Sequence, residues 1–171
     1  QAIECVLLPR AGLCVSTQAG CAVGCTFCMT GVGGLRRQLG SAEIVAQVAL
    51  ARTMRVVRKV VFMGMGEPAH NLDNVLEAIT LLGTEGAIGH KNLVFSTVGD
   101  RRVFERLPEG PVRPALALSL HSTFAAKRAR RSAAWRAAPR PGSVRSRKSS
   151  SARRTTVIGA ITRAFAVSRS A

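Results

Sequence analysis

Three cysteines, set out as Cys21-Ala-Val-Gly-Cys25-Thr-Phe-Cys28, form a cluster of metal-ligating thiols on one short stretch. The pattern is C-x3-C-x2-C. Three thiolates on one short loop can hold three irons of a four-iron, four-sulfur cluster, which takes four cysteines when the protein ligates it fully. With three, one iron keeps an open position for a small molecule, and an open position is the mark of a catalytic metal site. Phe27, beside the last thiol, would keep the loop apolar. Two other readings use the same residues. One is a structural zinc site with Cys14 as fourth ligand, but its C-x6-C-x3-C-x2-C spacing matches paired C-x2-4-C knuckles poorly. The other is inert buried cysteines, against which three thiols within eight residues of a glycine-bearing loop argue. All five cysteines, at 5, 14, 21, 25 and 28, lie near one end of the chain. A secreted disulfide scaffold would spread them, so clustering fits a metal site in a reducing compartment.

The elements around this loop read as strands alternating with helices. Residues 13–17 are β-formers bounded by Gly12 and Gly20 and predict a short strand. Ser41 is placed to cap a helix running to about Thr53, with Glu43 in its first turn and Ile44, Val45 and Val48 on one face. Residues 59–63 are a continuous apolar run after Lys59, as in a strand buried on both faces. Asn71 is placed to cap a second helix whose stripe is Leu72, Val75, Leu76, Ile79 and Leu82, with Gly83 as its stop. Residues 92–97 predict a third strand, 101–107 a short helix and 115–120 a fourth strand. This order is that of crossovers on a parallel sheet, where ligands gather at the carboxyl ends of strands. Each candidate chemical residue named below and lying beyond Gly20 follows or ends such a strand.

The formal net charge of +16 on 171 residues would by itself suggest nucleic acid. Residues 1–123 hold 12 of the 25 basic residues and all 9 acids, whereas residues 124–171 hold the other 13 and no acid. The domain expectation is therefore a core at 1–123 and a low-complexity Ala/Arg/Ser/Pro tail at 124–171. That tail lacks apolar periodicity, and it is expected to be disordered because it cannot offset its ordering entropy. Within it, 157–167 could form a short helix. The tail could serve as an RNA-binding arm, a solvated extension, or sequence from a wrong reading frame. No apolar run approaches the roughly 20 residues that span a bilayer, and no signal peptide is visible. With no initiator Met, the chain reads as a fragment or processed product.

Five segments in order carry a family resemblance: Leu13-Cys14-Val-Ser-Thr-Gln18-x-Gly20-Cys21, the Cys21–Cys28 loop, Val61-Phe-Met-Gly-Met-Gly66-Glu67-Pro68, Ser96-Thr-Val-Gly99 and Leu118-Ser119-Leu120-His121. C-x3-C-x-Phe-C is the signature of radical S-adenosylmethionine (SAM) enzymes. Over residues 3–123 the chain closely resembles the RlmN-type methyltransferases, which methylate carbon 2 of an adenine in large-subunit ribosomal RNA and, in bacteria, in transfer RNA. The related Cfr-type resistance enzymes act on carbon 8. The resemblance implies an α/β fold, a partial TIM-like barrel of parallel β/α units, holding a 4Fe-4S cluster and SAM at its mouth.

Roles follow from the resemblance residue by residue. Cys21, Cys25 and Cys28 match the cluster ligands. Gly66 and Glu67 match the turn that receives the SAM amino group. Ser96 and the run Ser119, Leu120 and His121 match further SAM contacts. Glu4 matches the proton-accepting glutamate, and Cys14 the thiol that resolves a covalent enzyme–RNA intermediate. Cys5, His70 and His90 match nothing: Cys5 reads as a small core residue, the histidines as surface. In the implied reaction one SAM methylates a cysteine. A second yields a radical that abstracts hydrogen from that methyl, the carbon radical adds to adenine, and Cys14 and Glu4 help release the product.

The family pattern is departed from in two places. The stretch between Pro9 and Cys14 is short, and the continuation after His121 is replaced by the Ala/Arg run. With that continuation go later strands, a further SAM contact and the methyl-carrying cysteine, so the expectation is an incomplete version that cleaves SAM without methylating RNA. Implied partners are ribosomal RNA, possibly transfer RNA, and an electron donor such as flavodoxin or ferredoxin. A cytoplasmic monomer is expected, with an organelle such as the chloroplast the alternative location. The competing functions are a radical SAM enzyme of another substrate and a zinc-dependent nucleic-acid-binding module.

Overall fold

The computed structural model describes residues 2–131. The expectations for residues 132–171, including the helix at 157–167, lie outside the described residues.

Its centre is a five-stranded sheet made of β1 (Val6–Leu8), β2 (Gly12–Cys14), β5 (Lys59–Phe62), β6 (Leu93–Thr97) and β7 (Ala115–Leu118), in that spatial order. β2, β5, β6 and β7 run parallel, and β1 pairs antiparallel on β2. A second, two-stranded sheet pairs β3 (Gln18–Gly20) with β4 (Leu35–Gln38) antiparallel. The helices are α1 (Ser41–Met54), α2 (Leu72–Thr84), α3 (Arg101–Arg106) and α4 (Ala125–Arg131).

One sheet face is covered by helices. Val60, Phe62, Leu93 and Phe95 pack there against Ile44, Val48, Val75, Ile79 and Val103. Burying side chains of this size contributes about 1.5–3 kcal/mol each, so this layer dominates the core. Because side chains alternate along a strand, the intervening residues Val61, Val94 and Ala117 form a second, smaller cluster on the opposite face, with Cys14 packed against it. In a barrel, that second face looks inward. The arrangement is the expected partial barrel of parallel β/α units.

The four parallel strands and the first three helices lie where the periodicity places them. The differences are local and have physical reasons. The strand expected at 13–17 closes at Cys14, because Val15 still donates to the Val61 carbonyl but Thr17 and Gln18 turn aside to donate to Met65. Gly40, not Ser41, caps α1, and the Glu43 side chain reaches back to accept the Gly40 N–H at 3.0 Å. Asn71 stands at the N-cap position of α2 but makes no side-chain capping bond, since its Oδ1 accepts from Asn74 Nδ2 at 2.7 Å while its Nδ2 donates to the Thr17 and Leu39 carbonyls at 2.8 and 2.7 Å. Gly83 does not stop α2, which continues to Thr84. Gly83 is there because a Cβ would meet the Val112 side chain at 2.6 Å. Residues 125–131, assigned above to a disordered tail, form α4, held by Arg128 donating to the Ser122 and Thr123 carbonyls at 3.0 and 2.9 Å. β1 and the β3–β4 hairpin were not foreseen.

Candidate active site at the mouth of the sheet

A cavity of about 510 Å³ opens at the carboxyl ends of β5, β6 and β7, a size within the usual range for small-molecule sites. The loop after β3 brings Cys21, Cys25 and Cys28 to one wall. The loop after β5 brings Gly66 and Glu67, β6 brings Ser96, and the end of β7 brings Ser119, Leu120 and His121. The three cluster candidates and six SAM-contact candidates therefore line one space, although their sequence positions span a hundred residues.

The Gly66–Glu67 turn is tightly held. Gly66 has φ +103°, and a Cβ there would stand 2.6 Å from Gln18 Cβ. Glu67 is only 5% exposed. One carboxylate oxygen accepts from Ala69 N–H at 3.2 Å and the other from Val98 N–H at 3.1 Å, joining the turn to the loop after β6. Burial pushes the Glu67 carboxyl above its ordinary range, against the lowering effect of hydrogen bonds from Thr97, Ala69 and Val98.

On the facing wall, Ser96 Oγ lies 3.2 Å from Ser119 Oγ. His121 adopts φ +60°, a left-handed conformation that non-glycine residues seldom take outside sites that hold them there. Its ring meets Phe27 edge-on with centroids 4.9 Å apart, tying β7 to the cysteine loop. Phe27 is nonetheless half exposed, not wholly enclosed. Burial, and then the nearby Arg131, lower the His121 pKa. Its Nδ1 is buried with no hydrogen-bond partner among the described residues. α4 closes one side: Thr26 N–H donates to the Arg131 carbonyl at 2.9 Å.

The donor set fits the group that the cysteine spacing implies. None of the three cysteines is in a disulfide, and Cys21 lies within electrostatic reach of both Cys25 and Cys28. Burial pushes the Cys21 thiol up, with the Glu67 carboxylate adding to it. Among the described residues no three His, Cys, Asp or Glu side chains converge on one ion. Three thiols that each take a separate iron need not converge. Cys14 is not in this wall. It sits on the inward sheet face, where burial raises its thiol pKa and the thiol that acts on it is Cys5, which itself packs on the helix-side core. The four-cysteine zinc arrangement is thus not assembled.

Glu4 is also outside the wall. It is exposed, and its carbonyl accepts from the Ser16 hydroxyl, which in turn accepts the Met65 N–H at 2.8 Å. Sequence reasoning gave no role to Gln18, Gln38 or Val98, which hold the Glu67 turn. Gln18 stands in the first family motif, but nothing local marked its side chain as the partner of Glu67 and Gln38, which lie 49 and 20 residues away.

A half-barrel of parallel strands with three loop cysteines and a glycine–glutamate turn at its mouth is the core of a radical SAM protein. The model of the Radical SAM superfamily matches residues 15–138, and the chain belongs to that superfamily. It is 83% identical over 128 residues to a probable RNA methyltransferase of Aromatoleum aromaticum, covering 75% of this chain and 36% of that protein. It is 84% identical over 123 residues to another of Methylibium petroleiphilum, covering 72% and 35%. A crystal structure of a radical SAM methyltransferase from Sphaerobacter thermophilus superposes with a TM-score of 0.71 at 37% identity, over 78% of this chain and 42% of that one. The chain thus spans little more than a third of the length of the curated relatives it matches.

Proposed function

We propose that this chain is the cofactor-binding part of a radical SAM RNA methyltransferase acting on carbon 2 of an adenine in large-subunit ribosomal RNA, and possibly in transfer RNA. The observation that carries the reading is the single cavity lined by Cys21, Cys25 and Cys28 together with Glu67, Ser96 and His121. Cluster and SAM together supply one-electron chemistry, which an aromatic carbon too weakly nucleophilic for direct displacement requires.

The chain's own residues do the rest. Cys21, Cys25 and Cys28 hold three irons. The Gly66–Glu67 turn receives the SAM ammonium, and Ser96, Ser119, Leu120 and His121 hold the remainder of the molecule. Phe27, edge-on against His121, ties the cysteine loop to the end of β7. Cys14, on the inward face, is the resolving thiol. Glu4, exposed outside the wall and tied by its backbone carbonyl to Ser16, is the proton acceptor. The electron donor is a redox protein such as flavodoxin or ferredoxin, and the protein works as a monomer in the cytoplasm.

RNA as substrate is supported by the relatives' names and by charge placement. The stretches 5–42 and 110–131, which supply the cysteine loop, the end of β7 and α4, contain eight basic residues and no acid. All nine acids lie at Glu4 or within 43–109. No cysteine follows Cys28, so the thiol expected to carry the methyl group is not among these residues. The expected result for the reconstituted chain with SAM, reductant and ribosomal RNA is therefore 5′-deoxyadenosine without methylated RNA. Mass spectrometry reads both products. 2-Methyladenosine above a Cys25→Ala control would contradict the two-cysteine mechanism, and absence of 5′-deoxyadenosine would contradict the radical SAM reading.

A further inference from the structure

We infer that Gln18, acting with its cross-strand partner Gln38, is a positioning residue that locks the Gly66–Glu67 turn to the hairpin carrying the cysteine loop. The inference rests on the reading that this cavity takes SAM. Gln18 is fully buried, yet neither glutamine lines the cavity. Gln18 Oε1 accepts the Glu67 N–H at 2.8 Å, and Gln18 Nε2 donates to Gln38 Oε1 at 2.8 Å. Gln38 Nε2 then donates to the His70 carbonyl at 2.9 Å. A backbone N–H can only donate and a carbonyl can only accept, so both amide orientations are forced from the ends of the chain of bonds. Both ends belong to one short segment, Glu67 to His70.

Gln18 and Gln38 are also register partners in the β3–β4 pair, and the loop with Cys21, Cys25 and Cys28 is the connection between those strands. The grip is close, because a Cβ on Gly66 would collide with the Gln18 side chain. The amide of Asn71, at the end of the same segment, bonds the Thr17 and Leu39 carbonyls that flank the two glutamines. A displacement of the hairpin therefore moves the cysteine loop and the Glu67 turn as one body. The glutamine pair sets the spacing between the iron ligands and the group that meets the SAM ammonium.

The test compares SAM affinity per loaded cluster, by anaerobic equilibrium dialysis, with iron content on the same samples. Gln18→Met keeps length and packing but removes both hydrogen bonds. The expected result is near-normal iron with SAM binding weakened about tenfold, the scale of one buried hydrogen bond lost. Gln38→Ala, at an exposed position, is expected to weaken SAM binding about threefold at full iron content, since it removes only the outer link. A merely structural role would lower iron content and the unfolding midpoint while leaving affinity per cluster unchanged. Unchanged affinity per cluster in both variants overturns the inference. If Gln18→Met does not fold, unchanged affinity in Gln38→Ala overturns it alone. An unsubstituted chain that loads iron but binds no SAM would contradict the function reading itself.

Discussion

Glu67 shows how one side chain joins a loop and a cofactor site. Its two oxygens each accept one backbone N–H, from Ala69 and from Val98. Glu67→Gln keeps one acceptor and turns an amide donor toward the second N–H. Leaving that buried donor unpaired costs about 1–3 kcal/mol, which urea unfolding would read directly. In the function we propose, the same change also removes the charge that would meet the SAM ammonium, and a charge-assisted hydrogen bond of about 1.5–3 kcal/mol corresponds to about tenfold or more in affinity. Unchanged SAM binding at equal cluster content would show that the carboxylate serves the loop alone. The pH dependence has a definite sign. Burial raises the Glu67 pKa in the folded state, so the native protein holds this proton where the unfolded chain has lost it. The contribution is fully present below the ordinary carboxylate range and is lost as pH rises through the folded value. Stability measured across that window should therefore fall less steeply with rising pH in Glu67→Gln than in the unsubstituted chain.

At the scale of elements, the parallel strands and α1 to α3 were legible because each carries its own periodicity. Lys59–Phe62 is a run of β-formers, and α2 has an apolar stripe at helical spacing. The β3–β4 hairpin carries no such signal: Gln-Ala-Gly and Leu-Arg-Arg-Gln become strands only by pairing with each other, across the cysteine loop. The candidate site was legible as separate motifs, since each candidate residue in the cavity wall ends or follows a strand. What joins them was not, because Gln18, Asn71 and Val98 act through contacts distant in sequence. Gly83 illustrates the same limit of local reasoning. Gly→Ala inside a helix ordinarily stabilises by about 0.5–1 kcal/mol. Here the new methyl would meet Val112 at 2.6 Å, and overpacking of that kind costs about 1–3 kcal/mol. Gly83→Ala should accordingly lower the urea midpoint. A raised midpoint would mean that the Val112 loop yields freely.

Over the whole molecule, charge and chemistry are separated. The helix-covered side of the sheet carries the large apolar core, whereas the cysteine loop, the end of β7 and α4, which frame part of the cavity mouth beside Glu67, lie in segments that contain bases and no acids. A polyanion approaching from the mouth meets no like charge from those segments, while α4 presents exposed Lys127, Arg130 and Arg131. Single-stranded RNA should bind with strong salt dependence, the logarithm of affinity falling by about 0.7 per neutralised phosphate against the logarithm of salt concentration. Titrations at several salt concentrations check this, and binding indifferent to salt would contradict an electrostatic RNA surface.

The central claim is that three cysteines of one loop hold an iron–sulfur cluster in the cavity that Glu67 and His121 share. Iron and sulfide content after anaerobic reconstitution tests it most directly, measured in parallel on the unsubstituted chain and on Cys25→Ala. About four irons and four sulfides per chain are expected in the first, and loss of most of that iron in the second. A full iron complement retained in Cys25→Ala, or one tightly held zinc and no iron in the unsubstituted chain, would contradict it.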